Sequence, residues 1–414
     1  MNNTPVWSDD RIAGFVAQSM ATLPLASQRV LVIVPDSTRT MPLQAYFRAL
    51  CETLLPRVRQ LDFLIALGTH PPMSEAAILA MFGISAEERA GKYREVRIFN
   101  HAWKDPEALV TLGEIPAEDI AALSNGLFQQ SVPVRLNKLV LAYDHLLICG
   151  PVFPHEVAGF SGGNKYFFPG IAGADIIDFT HWLGALITSY DIIGTKNTPV
   201  RAVIDRAAAM IPTPRHALCS VVTHDGLIGA FFGSPESAFA QAADLSAQAH
   251  VKYMPRAYKQ VLAVLPTMYD EMWLGGKGMY KTEPVCADDG EVIIYAPHLH
   301  EISVTHGALI RQVGYHVRDY FVKQWDKFKH IPWGVLAHST HVRGIGAYDA
   351  ETGIERPRVK VTLATGISEA DCRAINLGYR DPASIDPDAW LARADPDVLV
   401  VPRAGEYLYR LARP

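Results

Sequence analysis

The sequence predicts an α/β protein built from two Rossmann-like domains, with mostly parallel sheets and an active-site cleft between the domains. Three observations carry that prediction. Short apolar, β-branched runs recur along the chain, and Ala-, Leu- and Glu-rich stretches with apolar residues at helical spacing separate them. Polar or glycine-rich segments follow the runs. At 414 residues the chain also exceeds the size at which one hydrophobic core stops growing, about 250–300 residues.

Taken in order, Arg29–Val34 is the first strand and Leu43–Leu54 its covering helix, and Leu61–Leu67 with Glu75–Phe82 repeats the pair. Lys138–Cys149 reads as one long strand. Val200–Met210, Ala217–Val222 and Ser237–Ala249 read as helix, strand and helix. The pattern breaks at Val251–Lys259, where Pro255 ends a helical periodicity, so the first domain is taken as residues 1–255 and the second as 256–404. Strands of the second domain are expected at Gln260–Leu265, Glu291–Tyr295, Val359–Ala364 and Asp397–Val401, with Pro-rich turns at Asp381–Pro387 and Pro396. Residues 405–414 are expected to return as a helix against the first domain.

Composition narrows the function. Half the residues (49%) are hydrophobic and 20% charged, and 38 basic against 43 acidic side chains give a net charge of -5 without any Lys/Arg-dense stretch. That balance lacks the electrostatic footprint of a nucleic-acid or anionic-lipid binder and favours small-molecule chemistry. No run approaches the roughly 18 apolar residues of a membrane span, and the amino terminus has no secretory pattern. Five widely spaced cysteines exclude CxxC knuckles, and a reducing cytosol is expected.

Ligands of open parallel sheets sit beyond the carboxyl ends of the strands. Here the first strand runs into Pro35-Asp36-Ser37-Thr38-Arg39, the second into Gly68-Thr69-His70, the third into Gly150 to His155, and Gln260–Leu265 into a segment ending Gly275-Gly276-Lys277-Gly278. The densest stretch, PHEVAGFSGGNKYFFPGIAG from Pro154 to Gly173, combines five glycines with Lys165. Glycines let backbone N–H groups approach an anion, and Lys165 adds a cation. Asn164 before the lysine excludes a Walker A loop, and no GxGxxG is present. By itself such a loop serves equally as a tight turn or a ligand cradle.

His70 and His155 follow strands, and His181 in DFTHWLG falls on a helix after the glycine loop. Imidazole can exchange protons near neutrality or ligate a late transition metal. The pairs His298/His300 and His338/His341 make no HExxH helix and complete no zinc set, so they are read as structural. Asp144 and His145 are read as a satisfied pair near a sheet edge. Trp333 is read as a core aromatic at a strand start or as the wall of a pocket.

At these residues the sequence resembles the nickel-dependent lactate racemase family, whose members carry a nickel-pincer nucleotide. The resemblance rests on Asp36-x-Thr38-Arg39, on Gly68-Thr69-His70, and on His155-x3-Gly159-Phe160-Ser161-Gly162-Gly163-x-Lys165. Pro169-Gly170-Ile171-Ala172, His181 and Lys277-Gly278-Met279 follow in order. It implies that Lys165 holds the cofactor covalently through a thioamide, that His181 completes the nickel coordination, and that His70 and His155 are the catalytic acid/base pair. It further implies that Asp36, Thr38, Ser161, Gly162 and Gly163 contact the cofactor. Arg39 and Lys277 would bind the substrate, with Leu274 and Trp333 beside them.

The reaction so implied is racemisation or epimerisation of a 2-hydroxy acid by reversible hydride transfer through a transient 2-keto acid. Enzymes that build the cofactor would be the protein's partners. Two matching acid/base groups suit a racemase, because each is base in one direction and acid in the other. Where the family often has arginine after the first histidine this chain has Pro71-Pro72, and Leu274 replaces a glutamine of lactate-specific members. Both changes remove polar groups and point to a 2-hydroxy acid larger or less polar than lactate. Met272, Trp273, Leu274 and Met279 are expected to form an apolar wall or to pack in the core. The competing expectations are a nicotinamide-dependent 2-hydroxy acid dehydrogenase and a non-catalytic cofactor-binding homologue.

Overall fold

A computed structural model describes residues 5–412. The chain forms two compact units, each α/β with a mostly parallel sheet. The first comprises the chain up to Phe153, Phe160–Ile177 and Pro199–Ala249; the second comprises Pro154–Gly159, Asp178–Thr198 and the chain from His250 onward. This differs from a single break at residue 255, because two short excursions before it belong with the later half.

The sheet of the first unit has six strands, in spatial order Gly226–Gly233, Arg215–Thr223, His145–Pro151, Arg29–Pro35, Gln60–Ala66 and Ile98–Asn100. All neighbours run parallel except the edge strand Gly226–Gly233. The central strand Arg29–Pro35 is buried along nearly its whole length, which explains its unbroken Val/Leu/Ile composition. Helix Leu43–Leu54 packs on it, and Phe47 meets Phe63, Phe82 and Tyr93 at ring-centroid distances of 5.1, 5.2 and 4.8 Å. Such pairs add about 0.5–1.5 kcal/mol each beyond burial. Helix Glu75–Phe82 starts at the Ser74 cap and stops at Gly83, whose φ of 64° needs no Cβ penalty.

The stretch 138–149 is not one strand. Its first part is the 3-10 turn Lys138–Leu141, and the strand begins only at His145. Asp144 accepts both the backbone and the side-chain N–H groups of Arg29, fixing the starts of the two central strands; its partner is Arg29 and not His145, and it does not lie at a sheet edge.

The second unit has a five-stranded, all-parallel sheet in the order Gly378–Tyr379, Lys360–Thr365, Cys286–Ala296, Tyr258–Val264 and Val398–Val401. Its core includes Leu262, Ile293 and Ala364. The final segment is not a helix on the first domain. It is the strand Leu408–Leu411, which pairs in parallel with Val251–Met254 of the same unit. Alternating Leu408-Tyr409-Arg410-Leu411 suits an extended pairing better than a helical stripe. Trp333 likewise opens a helix, Trp333–Arg343, and not a strand, with Pro332 at its cap and Val335, Leu336, Ser339 and Val342 buried at helical spacing. Among the described residues no helix is long and apolar enough to cross a membrane.

Candidate active site

In the first unit the polar loops cluster at the carboxyl ends of Arg29–Pro35 and Gln60–Ala66. Asp36 is only 7% exposed. Its Oδ1 accepts the Thr38 hydroxyl at 2.6 Å and the Thr38 N–H at 3.1 Å, while Oδ2 accepts from Nδ1 of His70. Burial pushes the carboxyl up, but the hydrogen bond from His70, the nearby His70 and Arg39 charges and the Thr38 hydroxyl outweigh it and hold Asp36 well below the ordinary range. The Arg39 guanidinium lies 5.3 Å from the Phe153 ring centroid.

The glycine-rich segment is fastened to these loops. Gly68 N–H donates to the Gly170 carbonyl at 2.9 Å, and Ser161 N–H donates to the Phe153 carbonyl at 2.8 Å. Gly162 has φ 93°, and a Cβ there would lie 2.4 Å from Val152 Cγ2. The turn Gly163–Tyr166 then presents Lys165, half-buried, while buried Asn164 beside it donates to Asp205 at 2.9 Å and Glu236 at 2.7 Å. His101 supports the far end through the Ala172 carbonyl at 3.0 Å, and burial pushes its imidazole down to about 4.

Two residues of this site had no motif to announce them. Arg201 is buried under the loop and donates to the Gly162 carbonyl at 3.0 Å and the Phe160 carbonyl at 2.6 Å, with its guanidinium 3.9 Å from the Phe239 ring centroid. Its signal was a cation on the apolar stripe Val200, Val203, Ile204, Ala207 of helix Pro199–Ala208. Buried Tyr166 brings its hydroxyl so close to Gly150 that a Cβ there would stand 1.9 Å from it, and it interacts electrostatically with Arg39 and Asp36. The first unit thus brings together Asp36, Thr38, Arg39, His70, Ser161, Gly162, Gly163 and Lys165.

In the second unit His155 is 5% exposed, and its Nδ1 accepts the Val157 N–H at 3.1 Å with Glu156 Oε2 at 3.5 Å. Gly159 closes the segment at φ 80°, its carbonyl accepting Gly194 N–H at 2.9 Å. His181 is half-buried midway along helix Ala174–Ile187. It lies within electrostatic reach of His338 and His341, both buried on helix Trp333–Arg343. Burial, with these neighbours adding, holds His338 well below its ordinary value, and His341 is pushed down to about 4, so both rings are neutral at pH 7. The reading of this pair as structural therefore misses its place beside His181. His298 and His300 instead face the carbonyls of Tyr269 and Gly366.

Lys277 lies 4.6 Å from the Tyr269 ring centroid. Four residues earlier Trp273 stacks on His338 at 3.9 Å and approaches His306 at 4.6 Å, with half-buried Leu274 next to it. Met272 and Met279 are fully buried and belong to the core. Trp333 sits 5.5 Å from Trp325, and Gly334 N–H donates to Asp178 at 3.0 Å, one turn before His181.

Residues 15–191 match the family model for the lactate racemase N-terminal domain. The lactate racemase of Thermoanaerobacterium thermosaccharolyticum is 24% identical over 273 residues, which cover 65% of this chain and 60% of that protein. That of Lactiplantibacillus plantarum is 26% identical over 174 residues, 40% of this chain and 35% of the relative. The match therefore spans less than two thirds of either racemase. Among solved structures, a Thermotoga maritima protein is 33% identical, with a TM-score of 0.90 and full coverage of both chains. The lactate racemase apoprotein from Thermoanaerobacterium thermosaccharolyticum is 18% identical and has a TM-score of 0.75, covering 97% of this chain and 93% of that one; it shares the fold.

Proposed function

We propose, from the match of residues 15–191 to the lactate racemase N-terminal domain and from the two lactate racemase relatives, that the chain is a member of the lactate racemase family and racemises or epimerises a 2-hydroxy acid, using a nickel-pincer nucleotide held on Lys165. One observation carries the reading above the family match. A histidine locked to a buried carboxylate, His70 on Asp36, shares one unit with the glycine turn that presents Lys165.

The residues present fit the cofactor. Lys165 offers an amine on a turn that Arg201 and Asn164 immobilise, suited to acyl attachment, and backbone N–H groups around Ser161 to Gly163 suit a phosphate. Among the described residues no three His, Cys, Asp or Glu side chains converge as a metal set, so His181 would leave the remaining nickel positions to the cofactor's own sulfur and carbon donors. When bound, that group supplies a hydride acceptor and donor.

The protein's part is to bind the acid and move a proton. Arg39 takes the substrate carboxylate in a bidentate pair, with Lys277 as a second cation. Because His70 Nδ1–H donates to Asp36, Nε2 of that ring carries the lone pair that accepts the substrate hydroxyl proton. His155 does the same for the other stereoisomer, and each ring returns the proton when it acts as acid. Pro71 and Leu274, apolar where polar groups serve lactate, favour a substrate with a larger or less polar side chain. Five buried free cysteines suit a reducing cytosol, where cofactor-building enzymes would load the protein.

The test is to produce the chain together with cofactor-building enzymes, measure intact mass and nickel, map the adduct, and screen a panel of 2-hydroxy acids. A nucleotide mass on Lys165 with one nickel, and interconversion of stereoisomers, are expected. Unmodified Lys165 under conditions that load a known relative, or activity that consumes added NAD instead, would overturn the reading.

A further inference from the structure

The two histidines are held differently. His70 turns Nδ1 toward a carboxylate, which requires a proton on that nitrogen and leaves the lone pair on Nε2. Nδ1 of His155 accepts the Val157 N–H at 3.1 Å, which puts the lone pair on Nδ1 and, in the neutral ring, the proton on Nε2. A ring in that tautomer cannot take a proton at Nε2. Yet the same Nδ1 has Glu156 Oε2 at 3.5 Å, a few tenths of an ångström beyond hydrogen-bonding length. One nitrogen therefore has a donor in contact and an acceptor just outside it.

We propose that Glu156 is the positioning residue of His155: its carboxylate accepts Nδ1–H and selects the tautomer whose Nε2 removes the substrate hydroxyl proton, as Asp36 does for His70. The catalytic meaning of this rests on the racemase reading; the tautomer itself does not. In the step the substrate O–H bond breaks, an N–H bond forms at Nε2, and the ring becomes an imidazolium. Glu156 stays ionised throughout. In reverse Nε2–H returns the proton and the ring goes back to neutral. Both working states keep a proton on Nδ1, so the ring needs an acceptor there, and the Val157 amide cannot be one. Glu156 is suited to follow the ring, being adjacent in sequence and only 20% exposed in its side chain. A small tilt of the imidazole exchanges one neighbour for the other.

Rates alone cannot test this, because the substrate fixes the equilibrium between stereoisomers, and any variant must change kcat/KM in both directions by one factor. The measurement is two-bond 1H–15N correlation of 15N-histidine-labelled full-length apoprotein, at a pH where His155 is neutral, for the wild type, Glu156→Gln and Glu156→Asp. A hydrogen bond to a charged acceptor outweighs a neutral one enough that Glu156→Gln is expected to lower the ratio of Nδ1–H to Nε2–H tautomers at His155 about tenfold or more, with Glu156→Asp restoring part of it. In loaded enzyme the Gln variant should lose kcat by about 10- to 100-fold with little change in KM. Equal ratios in the wild type and Glu156→Gln would overturn the proposal while leaving the racemase reading intact. If Glu156→Gln does not fold, Glu156→Ala takes its place: a lowered ratio supports the role and an unchanged one removes it. Since the apoprotein is measured, failure to load or to racemise leaves the tautomer result standing.

Discussion

Replacing Arg201 by methionine removes the cation beneath the glycine loop while keeping most of its volume. Burial pulls this guanidinium down to about 10, with Asp205 opposing the drop. That corresponds to about 3 kcal/mol of disfavoured charging in the folded state. Against it stand two charge-assisted bonds, to the Gly162 and Phe160 carbonyls, worth about 1.5–3 kcal/mol each, and a ring contact worth about 1–2 kcal/mol. Arg201→Met deletes both sides of this balance and leaves two carbonyls without the guanidinium and Asp205 without its cation. The net loss is therefore about 1–5 kcal/mol, short of the roughly 4–8 kcal/mol that the summed contacts suggest. Urea unfolding at pH 7.5 gives the stability, and intact mass after co-production with cofactor-building enzymes gives the fraction of Lys165 modified, which should fall with the loop unfastened. An unchanged midpoint with full modification would refute the role assigned to Arg201. A loss far above 5 kcal/mol would refute the desolvation argument instead.

Glu283 supplies a pH prediction. It is fully buried, and although Ile345 N–H donates to it at 3.0 Å and the Arg358 guanidinium stands 3.8 Å away, burial prevails and raises its carboxyl to about 7. The folded state then keeps a proton that the unfolded chain releases from about pH 4.5 upward, so stability falls between about pH 4.5 and 7 and levels off above. Glu283→Gln should be more stable than the wild type by up to about 3 kcal/mol at pH 8 and nearly equal to it at pH 4, as read from urea midpoints. In the loaded enzyme Asp36→Asn should slow turnover by about 10²–10⁴-fold without loss of fold, because an amide no longer dictates which His70 nitrogen is protonated; a drop below threefold would remove Asp36 from the mechanism. Gly159→Ala places a Cβ 1.8 Å from the Thr195 carbonyl at a φ of 80°, and should cost about 3 kcal/mol or more in a thermal or urea melt.

What the sequence makes legible is local. Helix Leu43–Leu54 matches its predicted bounds because its amphipathic stripe is complete within a dozen residues, and Glu75–Phe82 because Ser74 caps its start and Gly83 ends it. The strand-end loops are legible for the same reason, and with them Asp36, His70 and Lys165. Partners recruited from far along the chain are not. Arg201 reaches Gly162 across 39 residues, and Leu408–Leu411 forms a strand by pairing with Val251–Met254, more than 150 residues away in the chain. Helical spacing on Trp333–Arg343 puts His338 and His341 on buried turns near His181, yet their three-residue interval matches no metal motif. The contiguous split at residue 255 failed because nothing in Pro154–Gly159 or Asp178–Thr198 marks those residues as belonging elsewhere.

That interleaving limits how the protein can be altered. His155 and Lys165 are ten residues apart, yet they belong to different units, and the chain changes unit five times before residue 251. Neither unit can be cut out as a continuous fragment or exchanged wholesale with a relative's, since a graft from residue 256 onward would carry Trp273, Lys277 and His338 but leave His155 and His181 behind. Recombination at that point, in the laboratory or in a genome, would separate His155 and His181 from His338. Change is better introduced one side chain at a time, at positions such as Pro71, Trp273 and Leu274, which lie outside the crossing segments.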